Sequence, residues 1–396
     1  MPSGSNAVSA PSTSQEFMAE LFDDMTSADV LYAAFQKSKK GSSWKGSVQH
    51  YEMNLLSNIL KTRDALRTKA YEQKPFVCFE LHERGKTRFI KSMHIFDRVV
   101  QRSLCEEVLA PSLNHLLIHD NGASIEGKGI DFTRRRLDCH LEKFLRRHGV
   151  NGYILKVDFS KFFDNIDHEL ALKAVAKHID DPAAMELIAK LVGGFRIDVS
   201  DLSDKEIKRF EDAPFDALKH KLCDRGEKFL CRSFGIGSQI SQIVGIYYPT
   251  PIDFYCKTKR ACKYYGRYMD DIYIIHEDKE FLKDVLEGIK AEAKALKLFI
   301  NPKKTTITPL KSGFTFMKIK YRFTSTGKII RCLSRDSFTR ERRRLKKYRR
   351  LFDEGRVTRR DVCNFYQSFR GSAKKFMTHR SLMRMDALYN QLFVEN

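Results

Sequence analysis

Two adjacent carboxylates, Asp270 and Asp271, stand inside an aromatic and branched apolar run, YYGRYMDDIYIIHE, Tyr264 to Glu277. Like charges side by side repel, and apolar flanks raise the cost of keeping both ionised. A third carboxylate, Asp158, closes a separate apolar run, YILKV, far upstream. A strand end is a natural place to present a ligand at a sheet edge, so neighbouring strands would bring Asp158 to Asp270 and Asp271. Such a cluster is hard to explain as structure alone, because its repulsion is unrelieved without cations. Hard, oxygen-seeking Mg²⁺ relieves it. Two such ions about 3.5–4 Å apart clamp the attacking and leaving oxygens of a phosphoryl displacement, the chemistry of a polymerase or a nuclease. A lone DD pair is most often a solvated turn; only the ordered surroundings distinguish the two.

Composition agrees with a polyanionic partner. The chain has 396 residues, 71 Lys+Arg against 50 Asp+Glu and a formal net charge of +21. That excess favours nucleic acid first and an anionic membrane second. No apolar run approaches the roughly 20 residues a membrane span needs. The start, MPSGSNAVSAPSTSQEF, has neither a basic n-region nor an apolar h-region, so residues 1–16 read as a disordered leader. Nine scattered cysteines, with Cys223/Cys231 and Cys256/Cys262 spaced unlike a CxxC knuckle, fit a reducing cytoplasm rather than disulfides or zinc.

The positioning elements follow from hydrophobic periodicity. Residues 17–73 read as a helical extension, with apolar residues at helical spacing in ADVLYAAFQKSKK and YEMNLLSNILKTRDALRTKAYE. A strand (Phe76 to Leu81), a basic turn at Arg84-Gly85-Lys86 and a second strand (Thr87 to Ile90) come next. An amphipathic helix then begins near Ile95, with Ile95, Val99, Val100, Leu104 and Val108 on one face. The glycine-bearing loop NGASIEGKG enters a basic helix, and Tyr153 to Val157 reads as a buried strand. Residues 195–232 are charged and weakly periodic, as an insertion would be. GIGSQISQ turns from loop to helix, the DD run folds as a hairpin, and FLKDVLEGIKAEAKALKLFI is a helix. GFTFMKIKYRFT and GKIIRCL are strands around Ser325-Thr326-Gly327, and everything after Ser334 is helical and basic. Strands and helices mixed without strict alternation predict an α+β fold, an antiparallel sheet backed by helices on one face.

With these residues in view, the chain resembles the reverse transcriptases. Tyr268-Met269-Asp270-Asp271 is similar to their YxDD signature, and KVDFSKFFDNIDHE, Lys156 to Glu169, to their first catalytic block. RGKTRFI with IFDRVVQ resembles the fingers block, LKLFINPKKT the block after the catalytic hairpin, and GFTFMKIKY the primer-grip strand pair. These blocks occur in family order over roughly residues 75–325. The resemblance implies a right-hand polymerase with fingers at 74–152, a palm at 153–325 interrupted near 195–232, and a basic helical thumb at 326–396.

It also implies roles. Asp158, Asp270 and the Phe159 backbone would hold two Mg²⁺ ions, with Mn²⁺ as a substitute, and Asp271 would assist at the primer end. Phe163 matches the aromatic gate that excludes a ribose 2′-hydroxyl, although a core aromatic beside Phe162 is the alternative. Lys86 and Arg88 match the cations that hold the incoming triphosphate, against a solvated hairpin tip. Either Lys303 or Lys304 would neutralise the leaving pyrophosphate. Arg134, Arg135 and Arg136 would add template contacts or simply line an exposed helix. Phe316 and Met317 fall in the primer grip. Arg342, Arg343, Lys346, Lys347, Arg349 and Arg350 would ride along the duplex, making binding steeply salt-dependent.

At GIGSQISQ many members have QGxxxSP; here Ile236-Gly237 and Ser241-Gln242 stand in that pattern. Ile236 cannot offer the hydrogen bonds of Gln. The IGxxxSQ form resembles the error-prone enzymes of bacterial diversity-generating retroelements and some defence-linked relatives. NAxxH and VTG signatures of retron enzymes are not visible, and little chain remains for an RNase H or endonuclease extension. The expected partners are an RNA template, a DNA or RNA primer, dNTPs and a small basic accessory protein. The rivals are an abortive-infection-like enzyme that adds nucleotides without a conventional template, and a non-catalytic RNA-binding protein with the same fold.

Overall fold

Helices lead, as the periodicity predicts: α1 (Ala28–Ser38), α2 (Gly46–Met53) and α3 (Leu55–Arg67). The computed structural model describes residues 21–83, 85–220, 225–324 and 326–394. The polar leader, Arg84 of the basic turn, Cys223 and Ser325 lie outside these. Ser27 caps α1 by accepting the Val30 N–H, which satisfies one of the orphan donors of a helix start.

β1 (Val77–Glu83) and β2 (Lys86–Ser92) pair as an antiparallel hairpin that turns through Gly85 at φ +74°. α4 (Ile95–Leu104) buries Ile95, Val99, Val100 and Leu104, the predicted face, and continues into a π-helical turn that buries Val108. The long basic helix is α5 (Ile130–His148). β3 (Tyr153–Val157) leads to α6 (His168–Val175) and α7 (Pro182–Gly193). The weakly periodic stretch after α7 is an excursion built on two short paired strands, β4 (Ile197–Asp198) and β5 (Phe229–Leu230). It closes over its own small core of Ile197, Val199, Phe215 and Ala217.

α8 (Gln239–Tyr247) precedes the hairpin of β6 (Tyr264–Tyr268) and β7 (Asp271–His276). α9 (Lys279–Ala295) and β8 (Thr306–Pro309) follow. The main sheet has strand order β6-β7-β3-β8, with neighbours antiparallel. Both of its faces are covered. Leu155, Val157, Ile272 and Ile274 join the large core with α4, α7, α8 and α9. Ile154, Tyr273 and Ile275 face Leu137, Leu141 and Phe144 of α5. Helices therefore back one face as expected, and α5 closes the other. Burial on both sides is why Ile272-Tyr273-Ile274-Ile275 is an unbroken apolar run rather than an alternating one.

A second sheet, β9 (Phe314–Phe316), β10 (Ile319–Phe323) and β11 (Ile329–Leu333), packs beside the first. The chain then folds into α10 (Arg335–Asp353), α11 (Arg359–Lys374) and α12 (His379–Phe393) around Phe338, Leu345, Val362, Tyr366 and Met385. Leu345 is fully buried on an otherwise highly charged helix. Leu345→Ala is expected to destabilise this bundle by about 2–5 kcal/mol. Urea unfolding read by circular dichroism checks it, and a shift under half a kilocalorie would contradict the packing.

Candidate active site

The carboxylates meet because register brings them together. β3 and β7 pair with Val157 opposite Ile272, so Asp158, just past the end of β3, is carried beside Asp271, the first residue of β7. Tyr268 pairs with Asp271, which leaves Met269 and Asp270 as a two-residue turn; Met269 adopts a left-handed φ of +56°. Such a turn matches strand twist, and for a non-glycine it is strained by about 1–2 kcal/mol.

The proximity shapes the electrostatics of the site. Burial first, then the neighbouring charges of Asp270 and Asp158, push the Asp271 carboxyl up to about 7. Burial and Asp158 also raise Asp270, while the charges of Lys304 and Lys86 partly offset the rise. Lys304 Nζ lies 2.7 Å from both Asp158 carboxylate oxygens. Among the described residues no three His, Cys, Asp or Glu side chains are drawn into a ready-made metal cage. Lys304 supplies local positive charge instead. The donor set nonetheless fits a hard divalent cation: all three side chains offer oxygen, and their repulsion is what a cation would relieve. The Phe159 backbone forms an isolated bridge with Ile300, whose hydrogen bonds run from Asn301 N–H to the Asp158 carbonyl and from Ser160 N–H to the Phe299 carbonyl. That leaves the Phe159 carbonyl outside the ladder, beside Asp158.

The other predicted residues divide between this centre and more distant places. A cavity of about 300 Å³ is lined by Asp158, Asp271, Lys303, Lys304, Phe316 and Met317, among others. The structure thus brings the block after the hairpin and the β9–β10 turn to the same space. Met317 and Lys318, both at left-handed φ, turn β9 into β10. Phe163 sits beneath α8: a Cβ built on Gly245 would come within 2.9 Å of its ring and 3.6 Å of Met269 Sδ. Lys86 and Arg88 lie exposed on β2, and Ile236 bridges to Ile90 on the same strand. Gly237 takes φ +105°, and Gln242 is exposed on α8.

The three arginines of α5 have different surroundings. Arg134 donates to the Met317 carbonyl at 3.0 Å and to Asp131, and Arg136 Nε pairs with Asp120 at 2.5 Å, whereas Arg135 is exposed. On α10, Arg342, Arg343, Lys346, Lys347 and Arg350 are exposed; Arg349 pairs with Asp353 and donates to the Leu392 carbonyl.

Sequence reasoning missed the support beneath the turn. Arg267 and Asp253 are fully buried and form a two-pronged ion pair, with Nε 2.8 Å and Nη2 2.5 Å from the carboxylate oxygens. Arg267 also donates to the Met269 carbonyl at 3.2 Å and to the Ile246 carbonyl at 2.8 Å. The signal was an arginine in an otherwise apolar strand; its partner lies on another element. A second support is His140 on α5, whose Nδ1 is 3.0 Å from the Tyr273 hydroxyl of β7.

Burial depresses His140 to about 4, opposed by Asp120 and reinforced by Arg136, Lys257 and Lys143. The unfolded chain takes up this proton near pH 6.5 and the folded chain only near 4. Stability is therefore lost as pH falls through that window, by on the order of 2–3 kcal/mol. In His140→Gln the melting temperature is expected to fall less between pH 7 and pH 4.5. Equal slopes in the two proteins would refute the assignment.

The family profile described as "Reverse transcriptase (RNA-dependent DNA polymerase)" matches residues 74–321. The COX1/OXI3 intron 1 protein of Saccharomyces cerevisiae is 26% identical over 185 residues, 45% of this chain and 21% of that protein. The chain thus spans about a fifth of the length of that curated relative. A telomerase structure from Candida albicans, in complex with the TWJ fragment of telomeric RNA, superposes with a TM-score of 0.43 at 15% identity. That match covers 82% of this chain and 59% of the telomerase chain. With the matched profile running from the β1–β2 hairpin through the carboxylate turn to β10, this chain belongs to the reverse transcriptase (RNA-dependent DNA polymerase) family.

Proposed function

We propose that the chain is an RNA-directed DNA polymerase that extends a DNA or RNA primer along an RNA template with dNTPs. The observation that carries this reading is the convergence of Asp158, Asp270 and Asp271 where β3 ends and β7 begins, with the charge of Lys86 opposing the rise of the Asp270 carboxyl. Divalent cations held by Asp158, Asp270 and the Phe159 carbonyl, Mg²⁺ with Mn²⁺ as a substitute, would supply Lewis-acid stabilisation of charge on the transferred phosphate.

The protein's own side chains do the rest. Lys86 and Arg88 hold the triphosphate from the fingers side, Arg being suited to bidentate phosphate contact. Lys304, already an ion-pair partner of Asp158, neutralises the departing pyrophosphate, with Lys303 beside it. Phe163 abuts the sugar. Phe316 and Met317 set the primer end, and Arg134 orders that turn through the Met317 carbonyl. Arg135 and the exposed basic residues of α10 track the phosphates of the duplex. Among the described residues no helix is long and apolar enough to cross a membrane.

Purified protein given a defined RNA, a primer and single dNTPs with Mg²⁺ tests the reading. Incorporation dictated by the template base is expected. Untemplated tails would instead support the abortive-infection-like rival, and RNA binding without extension would support the non-catalytic one.

The finer assignment, to the diversity-generating type working with a small basic accessory protein, is supported by Ile236. It stands where a glutamine would contact nucleotide and template, and it is held against the fingers strand at Ile90. A branched apolar side chain there gives up hydrogen bonds that discriminate between bases. Ile236→Gln is expected to lower the error rate of copied cDNA several-fold, most visibly opposite template adenine. Sequencing of the products measures this, and an unchanged error spectrum would remove the basis for the subclass.

A further inference from the structure

We propose that the excursion between α7 and α8 is a sugar-selectivity clamp, acting through Asn165 and Phe215 to fix the ring of Phe163. This rests on the reading of Phe163 as the residue that abuts the sugar of the incoming nucleotide. Phe163 lies on a 3₁₀ turn, Phe162–Asn165, entered through Lys161 at φ +49°. A left-handed lysine is strained, so something must hold the turn.

Asn165 does so. It is fully buried, and its Nδ2 donates to the carbonyls of Lys161 (2.9 Å), Phe215 (3.2 Å) and Ser160 (3.4 Å), while its Oδ1 accepts the Phe215 N–H (2.8 Å). A primary amide carries a donor and an acceptor side by side, so it can pair both ways with one backbone peptide. The grip extends along the next two residues of the excursion. Lys161 pairs with Asp216 at 2.9 Å, and the Ala217 N–H donates to Asp164 at 3.3 Å.

The gripping residue of the excursion is itself anchored. Phe215 is buried in the small core with Ile197 and Val199 and packs edge-on against Phe210 at 4.9 Å. Its return segment runs beside the gate: the Phe234 N–H donates to the Phe163 carbonyl (2.9 Å) and the Ser233 N–H to the Ile166 carbonyl (3.1 Å). Its entry is tied to the fingers. Lys91 of β2 donates to the carbonyls of Phe195 and Arg196, and the Phe195 ring lies 5.0 Å from that of Phe76. On the opposite side the Phe163 ring meets α8 at Gly245, where no side chain fits. With its backbone gripped by the excursion and its ring backed by α8 at Gly245, Phe163 is fixed in place against a 2′-hydroxyl. Without the Asn165 amide the turn relaxes, and the ring gains room.

If Asn165 merely folded the excursion, its loss would depress dNTP and rNTP addition alike; a clamp makes the ratio move. The experiment uses the full chain on a defined RNA template–primer, comparing dCTP with CTP under single-turnover conditions. Asn165→Ala is expected to lower discrimination about tenfold, within the range that one lost positioning contact commands. Phe163→Val serves as the control, with a loss at least as large. A folded Asn165→Ala that discriminates like the wild type, while Phe163→Val has lost discrimination, overturns the clamp. If Phe163→Val discriminates like the wild type, the gate reading falls and the clamp with it. Should the alanine variant fail a thermal-melt check of folding, Asn165→Ser, which keeps one donor in a similar small volume, decides by the same ratio.

Discussion

Asp270→Asn is expected to reduce nucleotide addition by about three orders of magnitude or more, because several kcal/mol of charge stabilisation disappears with one carboxylate. The amide is nearly the same size and stands in the same turn, so the loss would be chemical rather than steric. Stability should move the other way. Burial and the Asp158 charge already oppose ionisation of Asp270, and replacing it with a neutral group removes repulsion from Asp271 as well. Without divalent cations the variant is therefore expected to melt at or above the wild-type temperature at pH 8. Single-nucleotide extension paired with a thermal melt reads both effects. Extension at a rate near wild type would show that the carboxylate turn is not the reaction centre.

The second large effect concerns the ion pair beneath that turn. Arg267→Ala leaves Asp253 as an uncompensated charge in a fully buried position, and Asp253→Ala does the same to Arg267; each is expected to destabilise by about 3–5 kcal/mol. Tyr265, whose hydroxyl donates to the same carboxylate, would lose its partner in the second variant. Replacing both together, Arg267→Met with Asp253→Leu, should recover most of that stability, since buried ion pairs are often matched by apolar residues of similar volume.

Rate should not recover with it. No methionine can donate to the Met269 carbonyl, so the turn that carries Asp270 loses its tether, and kcat is expected to stay at least tenfold down with KM little changed. Chemical denaturation and steady-state kinetics on the three variants separate the outcomes. A double variant with full activity would make the pair purely architectural.

These predictions differ in how readable they were beforehand. The carboxylate trio was legible because its signal is local: two charges inside an apolar hairpin, and a third closing a strand. Neighbouring strands required only one pairing to bring them together, which β3 and β7 provide with Val157 opposite Ile272. The β1–β2 hairpin, α4, α9 and the strands β9 to β11 were legible for the same reason, since period and turn residues lie within a few positions of one another. The stretch from 195 to 232 was not, because its order comes from a small core whose members are scattered and from backbone bonds to a distant turn.

Basic residues show the same division. Arg134, Arg135 and Arg136 are indistinguishable in sequence, yet one donates to the Met317 carbonyl in the β9–β10 turn, one is exposed and one neutralises Asp120. Likewise Lys303 and Lys304 are indistinguishable in sequence, yet it is Lys304 that pairs with Asp158. The amino-acid sequence by itself determined the chemistry that this chain can attempt, through residue types and short periodic patterns that dictate backbone form. Tertiary structure alone decided which charges are paired, which turn Arg267 and Asp253 support, and what Asn165 grips. A partner's identity depends on burial and on contacts between distant segments, and no local spacing encodes either.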